Sequence, residues 1–134
     1  MITLRENKDL GLLILRVGIG LMFFLTHGLP KLMAGPDMWT QIGAALSRYG
    51  ITFLPVFWGL LAALSEGLGG LLLVLGIGTR TAATFMAFTM LIAAMHHLLG
   101  GDGIGKASHA IEVGILFLSL IWLGSGKYAL RPSK

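Results

Sequence analysis

Four apolar stretches dominate the sequence and restrict what it can fold into. Each is close in length to the ~20 residues that a helix needs to cross the hydrocarbon core of a bilayer. Each is bounded by residues that stop helices or turn chains, such as Leu29-Pro30 and Gly100-Gly101. The chain is therefore predicted to cross a membrane four times, over Leu10–Leu29, Phe53–Gly76, Arg80–Leu99 and Ala107–Gly124.

Composition agrees with a membrane protein and excludes other classes. Hydrophobic residues make up 55% of the 134 residues, charged residues 12%, and the mean hydropathy is +0.84; a soluble domain is roughly 45–50% apolar. The net charge of +4 comes from singly scattered basic residues, so a nucleic-acid surface is not expected. Without cysteine the chain forms no disulfide and no thiolate-bound cluster. Its length fits one domain, residues 1–134.

The first stretch resembles a secretory signal because Arg5 and Lys8 precede it. Arg16 interrupts the stretch, however, and no A-x-A cleavage site follows. We expect a retained helix.

Lys and Arg are enriched in cytoplasmic loops, and an even number of spans puts both termini on one side. The predicted terminal side carries Arg5, Lys8, Arg80, Lys127, Arg131 and Lys134, and the opposite side Lys31, Arg48 and Lys106. Both termini are thus predicted to be cytoplasmic.

Short connections between the spans predict an all-α, up-down-up-down four-helix bundle. The longest connection contains apolar residues at helical spacing over about residues 37–49, starting after Gly35-Pro36. This pattern predicts a short amphipathic helix on the membrane surface. Two interpretations stay open: a simple linker helix, or a lid over a cavity between the spans.

Three charged residues, Arg16, Glu66 and Glu112, lie inside the predicted spans. A charge in mid-membrane costs at least ~2.5–3.5 kcal/mol, so each is expected to face the bundle interior, water or a partner. Residue counting puts Arg16 and Glu66 at similar depth, which predicts an ion pair. Such a pair either fixes helix register or forms the inner wall of a ligand site.

A second set of polar residues falls near the predicted outer border. Interfacial residues half in water are one interpretation. The other is proton transfer to and from a lipophilic redox ligand such as a quinone, because imidazole titrates near neutrality. Periodicity does not decide between adjacent His96 and His97, and we name His97. The set comprises His27, Lys31, His96, His97, His109 and Glu112.

Other cofactors have weak signals. His109-x-x-Glu112 is the closest metal-ligand spacing, and by itself it does not predict zinc. Haem is not predicted, because the histidines lie at one depth without a second pair. Gly18-Ile19-Gly20 lies inside a span and not at a strand-to-helix turn, so a flavin or dinucleotide site is not predicted.

The order of several short motifs resembles the DoxX family of small bacterial membrane proteins. The motifs are Leu15-Arg16-Val17-Gly18, His27-Gly28-Leu29-Pro30-Lys31-Leu32, Glu66-Gly67-Leu68-Gly69-Gly70 and Leu75-Gly76-Ile77-Gly78-Thr79-Arg80. The likeness extends from about Leu12 to Leu130. It implies a four-helix protein of the bacterial inner (cell) membrane, linked to respiratory or redox complexes. Relatives include the membrane subunit of thiosulfate:quinone oxidoreductase and proteins that help membrane oxidoreductases resist oxidative stress. By motif position, the family's charged residues correspond to Arg16, Lys31, Glu66 and Arg80.

The leading hypothesis is a membrane subunit that binds a quinone between its helices and receives electrons from a redox partner protein. The rivals are a non-enzymatic scaffold for such a partner and a small carrier of lipophilic solutes, although a monomer without an inverted repeat argues against transport. The sequence leaves open whether the bundle is a monomer or a homo-oligomer. The candidate ligand-binding and proton-handling residues are Arg16, His27, Lys31, Glu66, Arg80, His97, His109 and Glu112.

Overall fold

The computed structural model describes residues 7–134, and its architecture is helical. The predicted all-α fold with four spans and a short helix between the first two is confirmed. Arg5, counted above among the terminal charges, lies outside the described residues. The four helical spans are Lys8–Ala34, Pro55–Leu75, Thr79–Leu99 and Ile104–Leu123.

The first span is longer and less regular than predicted, and the expected helix end at Leu29 is wrong. A π turn interrupts the span, so that the Leu29 N–H bonds the carbonyl of Phe24. Pro30 has no N–H to donate, and a wider turn immediately before it lets the chain continue as helix. The three parts are α1 (Lys8–Phe23), the π turn (Phe24–Gly28) and α2 (Leu29–Ala34).

The predicted amphipathic helix is confirmed as α3 (Pro36–Ala44) followed by a 3₁₀ turn (Ala45–Tyr49). We call Pro36–Tyr49 the amphipathic segment. Trp39 fixes it to the first span, because its indole Nε1 donates to the Lys31 carbonyl at 2.8 Å. Its backbone lies directly against Gly59 of the next span, where a Cβ atom would overlap the Trp39 carbonyl. The segment therefore packs at contact distance on the bundle.

Three further helices complete the bundle. The second span packs against the first and third, and the third packs against the fourth. Between the first and fourth spans, Phe23 packs edge-on against Phe117 with ring centroids 5.0 Å apart. Asp9 and Lys127 form an ion pair at 3.6 Å, so the two ends of the described chain meet at one end of the bundle, here called the tail end. The helices are α4 (Pro55–Leu75), α5 (Thr79–Leu99) and α6 (Ile104–Leu123).

Candidate ligand site

The close approach of α4 to the π turn determines the position of the first polar pair. A Cβ atom on Gly28 would overlap the backbone of Gly67, so the two segments can touch here because residue 28 is glycine. Glu66 is next to Gly67, and Lys31 lies one turn beyond Gly28. The contact therefore holds the lysine ammonium within reach of the glutamate carboxylate.

Lys31 and Glu66 form a partly buried ion pair. The Lys31 Nζ lies 2.5 Å from the Glu66 Oε2, and the Glu66 side chain is 4% exposed against 31% for Lys31. The predicted pair of Arg16 with Glu66 is wrong. Depth counting misassigned the partner because Lys31, counted as an outer-border residue, reaches back along the bundle to Glu66. A buried carboxylate needs such a partner, since an uncompensated charge in apolar surroundings is costly.

Arg16 is fully buried and donates only to backbone carbonyls. Its Nη1 donates to Leu73 at 2.7 Å and more weakly to Val74 at 3.4 Å. Its Nε donates to Ser125 at 2.8 Å, and its Nη2 to Tyr128 at 2.7 Å. Along α4, Leu73 lies two turns, or roughly 10 Å, from Glu66. The arginine therefore ties α1 to the end of α4 and to the segment after α6.

Backbone chemistry at the end of α4 explains this use of an arginine. The last carbonyls of a helix have no partner within the helix, and a cation is favourable there. Gly76 ends α4 with φ 69°, and a Cβ atom on it would lie 2.7 Å from the Arg16 Nη1. Glycine at this turn allows both the positive φ and the close approach of the guanidinium.

A cavity of about 700 Å³ lies between the amphipathic segment, α4 and α5, beside Glu66. Its polar end contains Lys31 and Glu66. Ser65 also lines it and accepts a hydrogen bond from the Thr89 Oγ1 at 2.9 Å. The remaining walls are mainly apolar. They include Met38, Ile42, Leu46, Trp58, Leu61, Phe85, Phe88 and Ile92.

Two histidines line the other end of this cavity, near the end of α5. Both His96 and His97 contribute to the wall, whereas the sequence led us to name only His97. The His96 Nδ1 is buried and has no hydrogen-bond partner. Thr89 and His96 are seven residues apart, so the polar groups span roughly 10 Å along α5. Ser65 and Thr89 were missed, although a hydroxyl next to Glu66 within a span was a signal.

Two contacts attach neighbouring segments to this end of the cavity. Arg48 of the amphipathic segment donates from Nη1 to the His96 carbonyl at 3.3 Å. His97 Nδ1 lies 2.8 Å from the Asp102 carboxylate in the connection between α5 and α6. The hydrogen bond with His97 lowers the pKa of Asp102 below its ordinary value, and the positive charge of Lys106 acts in the same direction.

The other candidate residues lie outside the cavity. His27 is half-buried, and its ring stacks on that of His109 at 5.7 Å on the side where α1 meets α6. His109 and Glu112 are exposed on α6, so Glu112 does not face the interior as expected. Arg80 is exposed at the tail end. Lys31, Glu66 and His97 therefore share the cavity, whereas Arg16, His27, Arg80, His109 and Glu112 do not line it.

The described residues, 7–134, bring together no group of three or more His, Asp or Glu side chains that could hold a metal ion. The stacked His27 and His109 are a pair alone, and His97 is engaged by Asp102. The cavity thus offers hydrogen-bonding groups and one ion pair on mainly apolar walls. Such a site suits an organic ligand with a polar head and a lipophilic body.

Sequence comparison decides the family. A family model described as DoxX matches residues 11–98, which include both members of the ion pair. The chain belongs to the DoxX family. It is also 28% identical over 129 residues to a Bacillus subtilis (strain 168) protein named "Putative oxidoreductase CatD", covering 96% of this chain and 90% of that relative. No solved structure matches the chain. Glu112 and the rest of α6 lie beyond the matched residues.

Proposed function

We propose that this DoxX protein binds a quinone, or a similar lipophilic redox ligand, in the cavity beside Glu66. The observation that carries the proposal is the combination of a partly buried Lys31–Glu66 pair with about 700 Å³ of mainly apolar space next to it. Ligand cavities typically have volumes of ~300–1,000 Å³, with a few polar groups on apolar walls. A structural ion pair has no need for an adjacent cavity.

The walls suit a ligand that enters from the bilayer. Phe85 and Phe88 line the cavity and are 52% and 62% exposed, on a surface that faces lipid in a membrane. A ligand that partitions into lipid would reach the polar groups between these aromatic side chains. The amphipathic segment covers the same space, which supports its interpretation as a lid.

The polar residues have complementary tasks in this proposal. The Lys31 ammonium donates a hydrogen bond to a ligand carbonyl, and Glu66 holds that ammonium in position. His97, held by Asp102 at the edge of the span, exchanges protons with water as the ligand is reduced or oxidised. Electrons come from a partner redox protein, because a chain without cysteine binds no thiolate-ligated cluster.

The proposal includes a place in the cell. The chain is a multi-pass protein of the bacterial inner membrane with both termini in the cytoplasm, and it serves as the membrane subunit of a quinone-linked oxidoreductase. The charge count of the short connections supports this orientation. The name of the Bacillus subtilis relative supports a redox association. A non-enzymatic scaffold remains the rival, and it requires no ligand in the cavity.

Fluorescence quenching by ubiquinone-1, a short-tailed benzoquinone, tests ligand binding in lipid nanodiscs. Trp58 lines the cavity, whereas Trp122 is exposed near the tail end of α6. Trp39, the third tryptophan of the chain, is replaced by phenylalanine in every protein of the series. In that background we expect saturable quenching of Trp58 in a Trp122→Phe variant, and only non-saturating quenching of Trp122, from quinone dissolved in the bilayer, in a Trp58→Phe variant.

Two matched substitutions complete the experiment. Glu66→Gln keeps the side-chain shape but removes the charge that orients Lys31, and we expect at least tenfold weaker quinone binding by a folded protein. Glu112→Gln makes the same chemical change outside the cavity and should leave the affinity unchanged. Equal, non-saturable quenching of both tryptophans would contradict ligand binding and favour the scaffold.

A further inference from the structure

One face of α6 carries an exposed seam that the cavity does not use. The residues recur at intervals of 4, 3, 4, 3 and 4 positions, which is the a/d spacing by which two helices pack along their length in a left-handed coiled coil. All six are exposed in the single chain. The seam consists of Gly105, His109, Glu112, Leu116, Ser119 and Leu123.

The seam is chemically unsuited to lipid. Glu112 lies near the middle of α6, is exposed, and has no ion-pair partner among the described residues. A carboxylate facing acyl chains in mid-membrane is costly, and such a group usually meets a partner. The Lys31–Glu66 pair and the Arg16 hydrogen bonds show that the other two charges within the spans are satisfied inside the bundle. Glu112 is therefore left without a partner within residues 7–134, and a second protein chain can supply one.

We propose that the seam is a parallel homodimer interface, in which two copies pair His109 of one with Glu112 of the other. Copies inserted in the same way across a membrane are related by a two-fold axis along its normal, and such an interface is self-complementary. His109 and Glu112 are three residues, or about 4.5 Å, apart along the helix. An acid and a base in adjacent layers of the seam thus form two reciprocal pairs.

Self-complementarity favours a second copy over a different membrane protein. A foreign helix would need its own basic and acidic groups at matching depths, whereas a second copy supplies both. Gly105 has open space at its Cβ position, and glycine allows close approach of helices within membranes. The His109 ring stacks on His27 within the same chain, which holds it at the edge of the seam.

The absence of cysteine from the chain permits a clean cross-linking experiment. Leu116→Cys introduces a thiol in the seam, and Leu68→Cys introduces a matched thiol on an exposed position of α4, with parent leucines 37% and 52% exposed. In proteoliposomes treated with a mild oxidant, we expect the seam variant to form disulfide dimers at least tenfold faster than the α4 variant. Equal rates would overturn the proposal.

A second pair of variants tests the polar contacts themselves. Adding His109→Gln and Glu112→Gln to the Leu116→Cys chain removes both reciprocal ion pairs, and we expect roughly tenfold less dimer at low protein density. Adding Arg80→Gln and Lys127→Gln instead, both at exposed tail-end positions, should leave the amount of dimer unchanged. Photobleaching of singly labelled wild type should show two steps per particle. A uniformly monomeric protein, with the seam left for a different membrane helix, would overturn the proposal.

Discussion

The two cations that reach into the bundle, Arg16 and Lys31, have opposite surroundings. Arg16, at the tail end, is fully buried, and carbonyls of α4 and of the segment after α6 occupy its Nε, Nη1 and Nη2 atoms. Lys31, on the far side of Glu66, is partly exposed and borders a cavity of about 700 Å³. A charge surrounded by its own backbone stabilises a fold, whereas a charge beside empty, mainly apolar space is available to a ligand.

Replacing Arg16 should have the largest effect on stability. Arg16→Met removes a donor from three carbonyls, and the bonds to two of them, Leu73 and Ser125, are buried; each unsatisfied buried acceptor costs about 1–3 kcal/mol. We expect a loss of about 3 kcal/mol, measured by denaturant unfolding in detergent. Arg80→Met, at an exposed position of the same end, is the control and should change stability by less than about 0.5 kcal/mol. An Arg16→Met protein as stable as wild type would contradict the claim that Arg16 stabilises the fold.

Separating Lys31 from Glu66 should have a smaller effect on folding and a large one on binding. Lys31→Met leaves a buried carboxylate unpaired, while Lys31→Met combined with Glu66→Gln removes both charges. We expect the single change to cost about 2 kcal/mol, less than a fully buried pair because Lys31 is partly exposed. The double variant should recover at least half of that loss. A thermodynamic double-mutant cycle measures both, and both proteins should fail to bind ubiquinone-1.

A pair that acts only in folding would give the opposite pattern. The double variant would then regain stability and bind quinone as well as wild type does. That outcome would mean that Lys31, like Arg16, stabilises the fold and takes no part in binding.

Releasing the amphipathic segment should change the rates of quinone binding more than it changes the stability of the fold. Arg48→Ala removes the hydrogen bond to the His96 carbonyl, and exposed contacts of this kind contribute less than about 1 kcal/mol. We expect several-fold faster association and dissociation of ubiquinone-1 in stopped-flow quenching of Trp58, with little change in affinity. Asp37→Asn, at an exposed position of the same segment that does not line the cavity, is a control. Unchanged rates for Arg48→Ala would mean that the segment does not gate the cavity.

The contact between Asp102 and His97 should have the smallest effect, a change in how the stability of the fold depends on pH. Hydrogen bonding lowers the pKa of Asp102 in the folded protein, so its stabilising contribution is complete above the ordinary aspartate pKa. It is lost as pH falls through the lowered folded value. Thermal unfolding of wild type should therefore show a small decrease in stability over this acidic range, and Asp102→Asn should not. Identical pH profiles would exclude the contact.

Hydropathy and residue spacing predict the fold because bilayer thickness fixes the length of each span. The π turn was not predictable from Leu29-Pro30, since the same dipeptide usually ends a helix. Its consequence was the misassignment of Lys31, which pairs with Glu66 only because the helix continues past Pro30. The partners of Arg16 were predicted wrongly for another reason. They are backbone carbonyl groups up to 112 residues away along the chain, and the pattern of side chains in a sequence does not indicate which carbonyls a side chain will meet.

The central claim is that the space beside Glu66 holds a lipophilic ligand. A crystal structure of the wild-type protein grown in a lipidic mesophase supplied with ubiquinone-1 tests it most directly. We predict ring-shaped density in the cavity, with an oxygen atom within hydrogen-bonding distance of the Lys31 ammonium. A cavity closed by its own side chains, or filled only by water while Lys31 and Glu66 remain paired, would contradict the account.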